Sequence, residues 1–270
     1  MDFTDIESCG LVLLGCGRMG SALLSGWLAG GLTPESVWVV DPAPSDWLKR
    51  QGVHLNLPLP AAPAVALIAV KPQMMGEALP ALRAMGGGAT LFISIAAGTP
   101  IAAFEAAFGE GSPIIRAMPN TPAAMGRGIT ALIGNPRVSE AEMRQAEGLL
   151  AAVGRTVRLE AESQMDAVTA VSGSGPAYVF HLIETLAAAG TAEGLPEDLA
   201  MELAVTTVAG AGHLAAESGE PATTLRENVT SPGGTTAAGL AELMDAETGL
   251  GPLMRRTVAA AAARARELAK

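Results

Sequence analysis

The sequence is poor in aromatic side chains, in cations and in cysteine. Aromatic residues make up 3% of the 270 residues, so small aliphatic side chains must build the core. Apolar residues make up 49% and charged residues only 16%, a balance that excludes a disordered chain. The length suffices for two compact domains or one large α/β domain.

The shortage of positive charge restricts the partners. A formal net charge of −10 is unfavourable for binding nucleic acid or an anionic membrane. The apolar run 11–32 contains Arg18 and several glycines, so it is a poor membrane span. An anionic small molecule remains a candidate ligand, because helix N-termini bind anions without basic side chains.

The two cysteines, Cys9 and Cys16, flank an apolar run, and Cys16 lies in a glycine-rich turn. This placement favours free thiols in a reducing compartment over a disulfide. The first residues are acidic where a signal peptide would be basic. We therefore expect a soluble, cytoplasmic protein. With two cysteines and three histidines, no spacing typical of a metal site is present, and we expect no metal.

Residues 1–160 alternate short apolar runs with helical stretches, as in βαβ units with a mostly parallel sheet. Strands are predicted at Leu11–Leu14, Val37–Val40, Val65–Val70, Leu91–Ile95, Ile114–Arg116 and Thr156–Leu159. Helices are predicted at Met19–Ala29, Ser45–Gln51, Met74–Met85, Pro100–Phe108 and Ser139–Ala152. We predict an α/β domain over these residues.

Residues 161–270 are predicted to be all helical. The expected helices are Pro176–Ala189, Pro196–Glu217, Thr235–Met244 and Gly251–Leu268. Between Arg158 and Arg226 there is no lysine or arginine, so these helices should be buried nearly all round. A bundle of this size cannot bury so much surface alone. We predict packing against a second subunit; burial against the chain's own first domain is the alternative.

A glycine-rich turn joins the first predicted strand to the first predicted helix. It reads Gly15, Cys16, Gly17, Arg18, Met19, Gly20. In this context the first glycine permits the turn, the second lets a pyrophosphate approach, and the third lets the helix pack on the strand. The spacing predicts a Rossmann-type dinucleotide site; a glycine-rich turn in a ligand-free sheet is the alternative.

Asp41 ends the second predicted strand. In such folds a carboxylate here accepts hydrogen bonds from the adenosine ribose and repels a 2′-phosphate. No cation follows until Lys49 and Arg50, so the pattern favours NADH over NADPH. Alternatively, Asp41 only begins an Asp-Pro turn.

Two further strand ends are predicted to lie at the same edge of the sheet. Lys71 follows one of them and should face the ligand crevice, unless it is a solvated lysine that starts a helix. The segment Arg116–Pro122 follows another and contributes amide and hydroxyl groups. Its two prolines suit a preformed pocket, although a simple turn would also use them.

Two Gly/Ser/Thr segments open helices in the second region. Ser172–Tyr178 places Pro176 in a first helical turn, and Asn228–Thr236 precedes another helix. Exposed N–H groups at the helix start after Asn228–Thr236 suit a carboxylate. Each segment is alternatively an ordinary capping loop. The three histidines lie outside all these motifs. Reducing a carbonyl normally needs a strong proton donor, whereas an imine can already be protonated, so an imine substrate is favoured.

The order of these motifs resembles the pyrroline-5-carboxylate reductases over about residues 10–268. The segments that carry the resemblance are Gly15–Gly20, Ala69–Pro72, Arg116–Pro122, Asp166–Tyr178 and Leu225–Thr236. It implies an oxidoreductase that reduces 1-pyrroline-5-carboxylate to L-proline with NADPH or NADH, the last step of proline biosynthesis. It also implies an all-α C-terminal dimerisation domain, a homodimer, and dimers able to assemble into larger rings.

The resemblance also assigns residues. Thr236 is the implied catalytic residue, donating a hydrogen bond to the substrate ring nitrogen. The backbone of Gly234, Thr235 and Thr236 would hold the substrate carboxylate across the dimer interface, and Glu162 matches a substrate-side position. The positions implied to line the cofactor are Asn56, Val70, Lys71, Ala97, Pro176 and Asn228. The Asp41-Pro42 turn and the Pro/Ala-rich stretch Asn56–Ala64 depart from the family's pattern.

Two other classes share part of this pattern. The β-hydroxyacid dehydrogenases have a similar glycine turn and a helical second domain, but they use a lysine on a helix of that domain. After Lys71 the only lysine is Lys270, which argues against this class. A non-enzymatic dinucleotide-sensing protein would keep the glycine turn but has no use for Ser231–Thr236.

Overall fold

The structure is a computed structural model and describes residues 3–268. The chain forms two compact units: residues 3–173 together with 261–268, and Ser174–Ala260. The first unit thus runs past residue 160 and takes in the end of the last helix. The functional division into a dinucleotide-binding domain, 1–160, and a helical domain, 161–270, stays a prediction. Lys270 lies outside the described residues.

The first unit is built on one eight-stranded sheet. Its strands are β1 Leu11–Leu14, β2 Val37–Val40, β3 His54–Leu55, β4 Val65–Ile68, β5 Leu91–Ser94, β6 Ile114–Met118, β7 Gly128–Gly134 and β8 Gly154–Arg158. The order is β3-β2-β1-β4-β5-β6-β7-β8, and every neighbouring pair is parallel except β6 with β7. The predicted mostly parallel sheet is confirmed.

Two strands were missed by sequence reasoning. β3 has only two residues, too few for a period to show, and it is held by pairing with β2. β7 begins and ends with glycine, and such weak formers of strand are tolerated here because β7 pairs on both sides. The predicted strand Thr156–Leu159 begins two residues earlier, at Gly154.

Six helices precede or follow the strands of this unit. They are α1 Thr4–Cys9, α2 Arg18–Ala29, α3 Met75–Ala78, α4 Ile101–Phe108, α5 Glu140–Leu150 and α6 Met165–Val168. The prediction of a helix at Ser45–Gln51 was wrong, since only a 3₁₀ turn forms at Leu48–Arg50. The predicted helix Met74–Met85 is also broken: α3 gives way to 3₁₀ geometry at Leu79, because Pro80 has no N–H to donate.

The core lies on both faces of the sheet. Leu11 and Leu13 of β1 face one apolar cluster, whereas Val12 and Leu14 face the other. This is the burial expected of a parallel strand covered by helices on both sides. Trp27 of α2 is fully buried, and its indole Nε1 donates to the Leu149 carbonyl at 2.8 Å. That bond satisfies the polar group of the largest side chain in the core.

The second unit is helical. It contains α7 Gly175–Ala192, α8 Glu197–Glu217, α9 Ala222–Asn228, α10 Thr235–Leu243 and the first part of α11 Leu250–Leu268. Sequence reasoning missed the short helix α9. α7 packs against α8 through small side chains, Ala187, Ala200 and Ala204, with Ile183 beside them.

Most large apolar side chains of α7 and α8 are exposed in the single chain. They include Val179, Phe180, Leu182, Leu186, Leu199, Met201, Leu203, Val205 and Leu214. The expectation that these helices are buried all round is therefore not met within one chain. By length and composition alone, α8 is the one described helix that could cross a membrane, which is a weak indication.

Candidate active site

The carboxyl ends of β1, β4, β5 and β6 lie at one edge of the sheet, because these strands are parallel. β1 lies between β2 and β4, so the strand order reverses there. In open α/β sheets ligands bind at such a reversal, beyond the carboxyl ends of the strands. The predicted dinucleotide loop, Gly15–Gly20, follows β1 and therefore lies at this position.

The three glycines of the loop have three different surroundings. Gly15 has a φ of +90°, and a Cβ there would lie 2.9 Å from Val70 Cγ1. A Cβ on Gly20 would lie 2.5 Å from the Gly15 carbonyl oxygen. A Cβ on Gly17 would meet nothing within 4 Å among the described residues. The first and third glycines are thus needed for packing, and the second leaves open space for a ligand.

The helix that follows can bind an anion. α2 begins at Arg18 with Gly17 as its N-cap, so the cap has no side chain to accept from the first N–H groups. Its first turn, Arg18–Ser21, carries no acidic residue. The positive end of the helix dipole and the N–H groups at this end therefore suit the pyrophosphate of a dinucleotide.

Asp41 joins the end of β2 to the glycine loop. Its Oδ2 accepts a hydrogen bond from the Cys16 N–H at 2.8 Å, and its Oδ1 accepts from the Ala43 N–H at 2.8 Å. The second bond is the Asp turn that was the alternative to a ribose site. The two interpretations are compatible, since each carboxylate oxygen can accept a further hydrogen bond.

Asn56 supports Asp41. Its Nδ2 donates to the Asp41 carbonyl at 2.8 Å, and its Oδ1 accepts from the Asp41 N–H at 2.9 Å. Asn56 itself has a φ of +53°, a left-handed conformation that asparagine tolerates better than most residues. The structure therefore gives Asn56 a supporting contact, and its predicted contact with the cofactor stays a prediction.

The Cys16 side chain in this loop carries an uncharged thiol. Burial raises the pKa of its thiol, the Ser21 hydroxyl lowers that pKa, and the negative charge of Asp41 raises it again. The net effect is a pKa above the ordinary value, so the thiol is protonated near neutral pH. Cys9 and Cys16 are both free cysteines, as expected.

The other cofactor-lining candidates of the first unit follow β4 and β5. Val70 is partly buried, whereas Lys71 and Ala97 are exposed. Lys71 immediately precedes a 3₁₀ turn, Pro72–Met74, so its alternative interpretation as a lysine that starts a helix also fits. Among the described residues, no group of three or more potential ligand side chains could hold a metal ion.

Asn120 joins two parts of the same edge. Its Oδ1 accepts from the Ile129 N–H at 3.0 Å, and its Nδ2 donates to Ser172 Oγ at 3.3 Å. Ser172 belongs to a π-helical turn, Thr169–Gly173, that follows α6. Such turns occur frequently at functional sites.

Glu162 is held by two donors rather than pointing freely outward. Its Oε1 accepts from Arg116 Nη1 at 2.8 Å and from the Ile101 N–H at 2.9 Å. The Arg116 side chain is 6% exposed and that of Glu162 33% exposed. Sequence reasoning placed Arg116 in a motif without giving it a role. Its signal was an arginine inside an otherwise apolar strand.

The second unit holds the remaining predicted residues. Gly234 is the N-cap of α10, and Thr235 and Thr236 are exposed in its first turn. Asn228 ends α9, and its Nδ2 donates to Glu220 Oε2 at 3.3 Å. Pro176 lies in the first turn of α7, as predicted.

Comparison of the sequence with known proteins identifies the family of this chain. Residues 162–268 match the family model described as pyrroline-5-carboxylate reductase dimerisation, and residues 10–98 match one described as NADP oxidoreductase, coenzyme F420-dependent. A pyrroline-5-carboxylate reductase of Pseudomonas aeruginosa is 38% identical over 96% of this chain and 97% of its own length. The chain belongs to the pyrroline-5-carboxylate reductase family. A second member, from Synechocystis sp., is 40% identical over 96% of this chain and 98% of its own.

Solved structures of this family have the same fold. A pyrroline-5-carboxylate reductase from Coxiella burnetii superposes with a TM-score of 0.90 at 33% identity, covering 97% of this chain and 99% of that one. The Plasmodium falciparum pyrroline carboxylate reductase, solved with NADP bound, has a TM-score of 0.83 at 29% identity, covering 98% and 99%.

The family, the fold class and the reductase function predicted from sequence are thereby confirmed. A nicotinamide cofactor is supported as well. The match of residues 162–268 to a dimerisation model supports the predicted homodimer. It also gives a reason for the exposed apolar faces of α7 and α8, which lie within this range.

Proposed function

We propose that this chain reduces 1-pyrroline-5-carboxylate to L-proline in the cytoplasm, with NADPH or NADH as the hydride donor. The observation that carries the proposal is the full-length likeness to reductases of this name at 38–40% identity. The open space at Gly17, between two tightly packed glycines, supports a dinucleotide at the end of β1. We further propose 1–160 as the dinucleotide-binding domain and 161–270 as the dimerisation and substrate domain.

The first unit binds and orients the cofactor. The N–H groups at the start of α2 would hold its pyrophosphate, and Asp41 would accept from its ribose. Asn56, Val70, Lys71 and Ala97 would complete this side of the site, and Pro176 and Asn228 would add to it from the helical domain. A bound nicotinamide supplies the hydride.

The second unit orients the substrate. α10 presents the N–H groups of Gly234, Thr235 and Thr236 at a positive helix end, which suits the substrate carboxylate. The Thr236 hydroxyl would donate a hydrogen bond to the ring nitrogen. Glu162 would lie on the substrate side, where the oxygen not bound to Arg116 can accept a hydrogen bond. We propose that the residues come together in a homodimer, and that dimers assemble into a larger ring.

A spectrophotometric assay tests the function directly. With pyrroline-5-carboxylate and each reduced cofactor in turn, we expect oxidation of the cofactor that depends on both substrates, with proline as the product. Absence of turnover with both cofactors, in a protein that is folded and binds a dinucleotide, would contradict the proposal. A ring homologue of the substrate serves as the specificity control.

The charge of Asp41 should set the cofactor preference. We expect the wild type to use NADH at least comparably to NADPH. Asp41→Asn keeps the shape of the side chain but removes the charge that would repel a 2′-phosphate. It should shift the ratio of kcat/KM values toward NADPH by roughly tenfold, which corresponds to about 1.4 kcal/mol. Asp41→Ser should shift the ratio in the same direction.

Asp46→Asn is the matched control. Asp46 belongs to the same connection, and its carboxylate pairs with Lys49 at the surface. Its neutralisation should leave the ratio unchanged. A wild type that strongly prefers NADPH, with the same preference in Asp41→Asn and Asp41→Ser, would show that the Asp41 carboxylate does not contact the ribose.

The exposed apolar faces of α7 and α8 should lie in an obligate dimer interface. Sedimentation at micromolar concentration is expected to show at least a dimer. Leu214→Glu, at a leucine that is 54% exposed in the single chain, should shift the protein toward monomer, since a charge buried in an interface is costly. Leu57→Glu, at a leucine of the first unit that is 52% exposed, should not. A well-folded monomeric wild type would refute the interface.

A further inference from the structure

Arg116 is a buried charge inside the sheet of the first unit. The residue as a whole is 5% exposed, and among the described residues it is the only charged one that is buried. It lies in β6 and pairs in register with Ser94 of β5. Removing a guanidinium from water is costly unless it is paired, so its presence in an apolar strand indicates a specific partner.

That partner is the Glu162 carboxylate, and one of its oxygens links three segments that are distant in sequence. Glu162 Oε1 accepts from Arg116 Nη1 at 2.8 Å and from the Ile101 N–H at 2.9 Å. Arg116 belongs to β6, Ile101 begins α4, and Glu162 follows β8. Within the described chain, the hydrogen bonds of this carboxylate all fall on Oε1, which leaves the second oxygen for other use.

The bond to Ile101 fixes one end of the loop 95–100, which joins β5 to α4. The other end is held by Ser94, whose Oγ accepts from the Ala96 N–H at 3.3 Å. Between the two anchors the chain turns at Gly98, where φ is +76°. The loop contains Ala97, one of the residues expected to line the cofactor. The position of Ala97 therefore depends on both anchors.

We infer that Arg116 is a positioning residue: through Glu162 it holds the loop 95–100 in the conformation that receives the nicotinamide cofactor. The inference rests on the proposed function, because the contact of Ala97 with the cofactor is part of that proposal. Without Arg116 the Glu162 carboxylate, one third exposed, can turn to water and release the Ile101 N–H. Arg116 itself has no contact with a reacting atom in this role.

The test is a titration of the full-length enzyme with NADH and with NADPH, in which binding is monitored by the fluorescence of the reduced nicotinamide. Arg116→Met should raise the Kd of the better-bound cofactor by roughly tenfold, and Arg116→Lys, which keeps the charge, should restore part of this loss. The KM for pyrroline-5-carboxylate should change less than the Kd for the cofactor.

A double variant separates positioning from general stability. If Arg116 acts through Glu162, the losses from Arg116→Met and Glu162→Gln should not add, because the two residues are coupled. The double variant should then have a Kd for the cofactor no higher than that of the single variant that binds it more weakly. The matched control is Arg158→Met. Arg158 ends β8 and pairs with Glu147 at 2.6 Å, but on an exposed surface. Its replacement should leave both Kd values unchanged.

Any one of three results would overturn the inference. They are a wild-type Kd in folded Arg116→Met, additive losses of cofactor affinity in the double variant, and an equal loss of affinity in Arg158→Met. If Arg116→Met does not fold, Arg116→Lys decides. A lysine offers a point charge in place of the planar fork, so a weakened Kd at a near-native melting temperature supports the role and an unchanged Kd refutes it. An enzyme that binds the cofactor but does not reduce pyrroline-5-carboxylate refutes the proposed function, and the Kd series still tests Arg116.

Discussion

Replacing Gly17 by alanine is expected to weaken cofactor binding by roughly 10- to 100-fold while the fold stays intact. The added methyl group meets nothing within 4 Å among the described residues, so the protein itself has room for it. That room is where the pyrophosphate should approach the backbone. Displacing a phosphate from charge-assisted hydrogen bonds costs about 1.5–3 kcal/mol, which gives this range of Kd.

Gly20→Ala is the matched comparison three residues further on. Its methyl group would lie 2.5 Å from the Gly15 carbonyl oxygen, so the helix must move away from the strand. We expect a loss of about 1–3 kcal/mol in stability and a melting temperature several degrees lower. Circular dichroism and cofactor titration on both variants check the contrast. A Gly17→Ala enzyme with wild-type affinity would show that the dinucleotide does not pass over this residue.

Thr236→Ala should lower kcat/KM by roughly one to two orders of magnitude without abolishing turnover. A threonine hydroxyl is too weak an acid to protonate the ring alone, so its expected role is to orient the ring through a hydrogen bond. Losing one neutral hydrogen bond typically costs about 0.5–1.5 kcal/mol, and more where a buried partner is left unpaired. Each 1.4 kcal/mol corresponds to roughly tenfold in rate, and neighbouring N–H groups would still position the substrate.

Steady-state kinetics with saturating cofactor, together with a cofactor titration, check this prediction. Thr236→Ser keeps a hydroxyl and should recover most of the loss, whereas the Kd for the cofactor should be unchanged in both variants. Wild-type kinetics in a folded Thr236→Ala enzyme would remove Thr236 from the site. Complete loss of turnover would instead indicate an essential acid elsewhere.

The parts of the fold that were predictable are those written in short stretches of sequence. β1 and the glycine loop were placed correctly, because an apolar run followed by three spaced glycines is a local pattern. β3 and β7 were not, since one is too short to show a period and the other depends on strands distant in sequence. The helix predicted at Ser45–Gln51 was also wrong: only a 3₁₀ turn forms at Leu48–Arg50, with Leu48 buried in the core.

The site shows the same division between local and distant information. The positions of Gly17, Asp41 and Thr236 followed from motifs. The contacts made by Asn56 and Arg116 did not. Asn56 hydrogen-bonds the backbone of Asp41, 15 residues away in sequence, and Arg116 donates to Glu162, 46 residues away. No periodicity or spacing in a single sequence reveals such pairs, whereas a structure shows them directly.

Because the end of α11 belongs to the first unit, it constrains the order in which the chain can fold. Residues 261–268 of α11 belong to the compact unit that otherwise ends at Gly173. During synthesis the sheet can form early, but its unit stays incomplete until the whole intervening helical region has left the ribosome. A nascent first unit must therefore wait with part of its surface uncovered, and protection by chaperones would matter most in that interval.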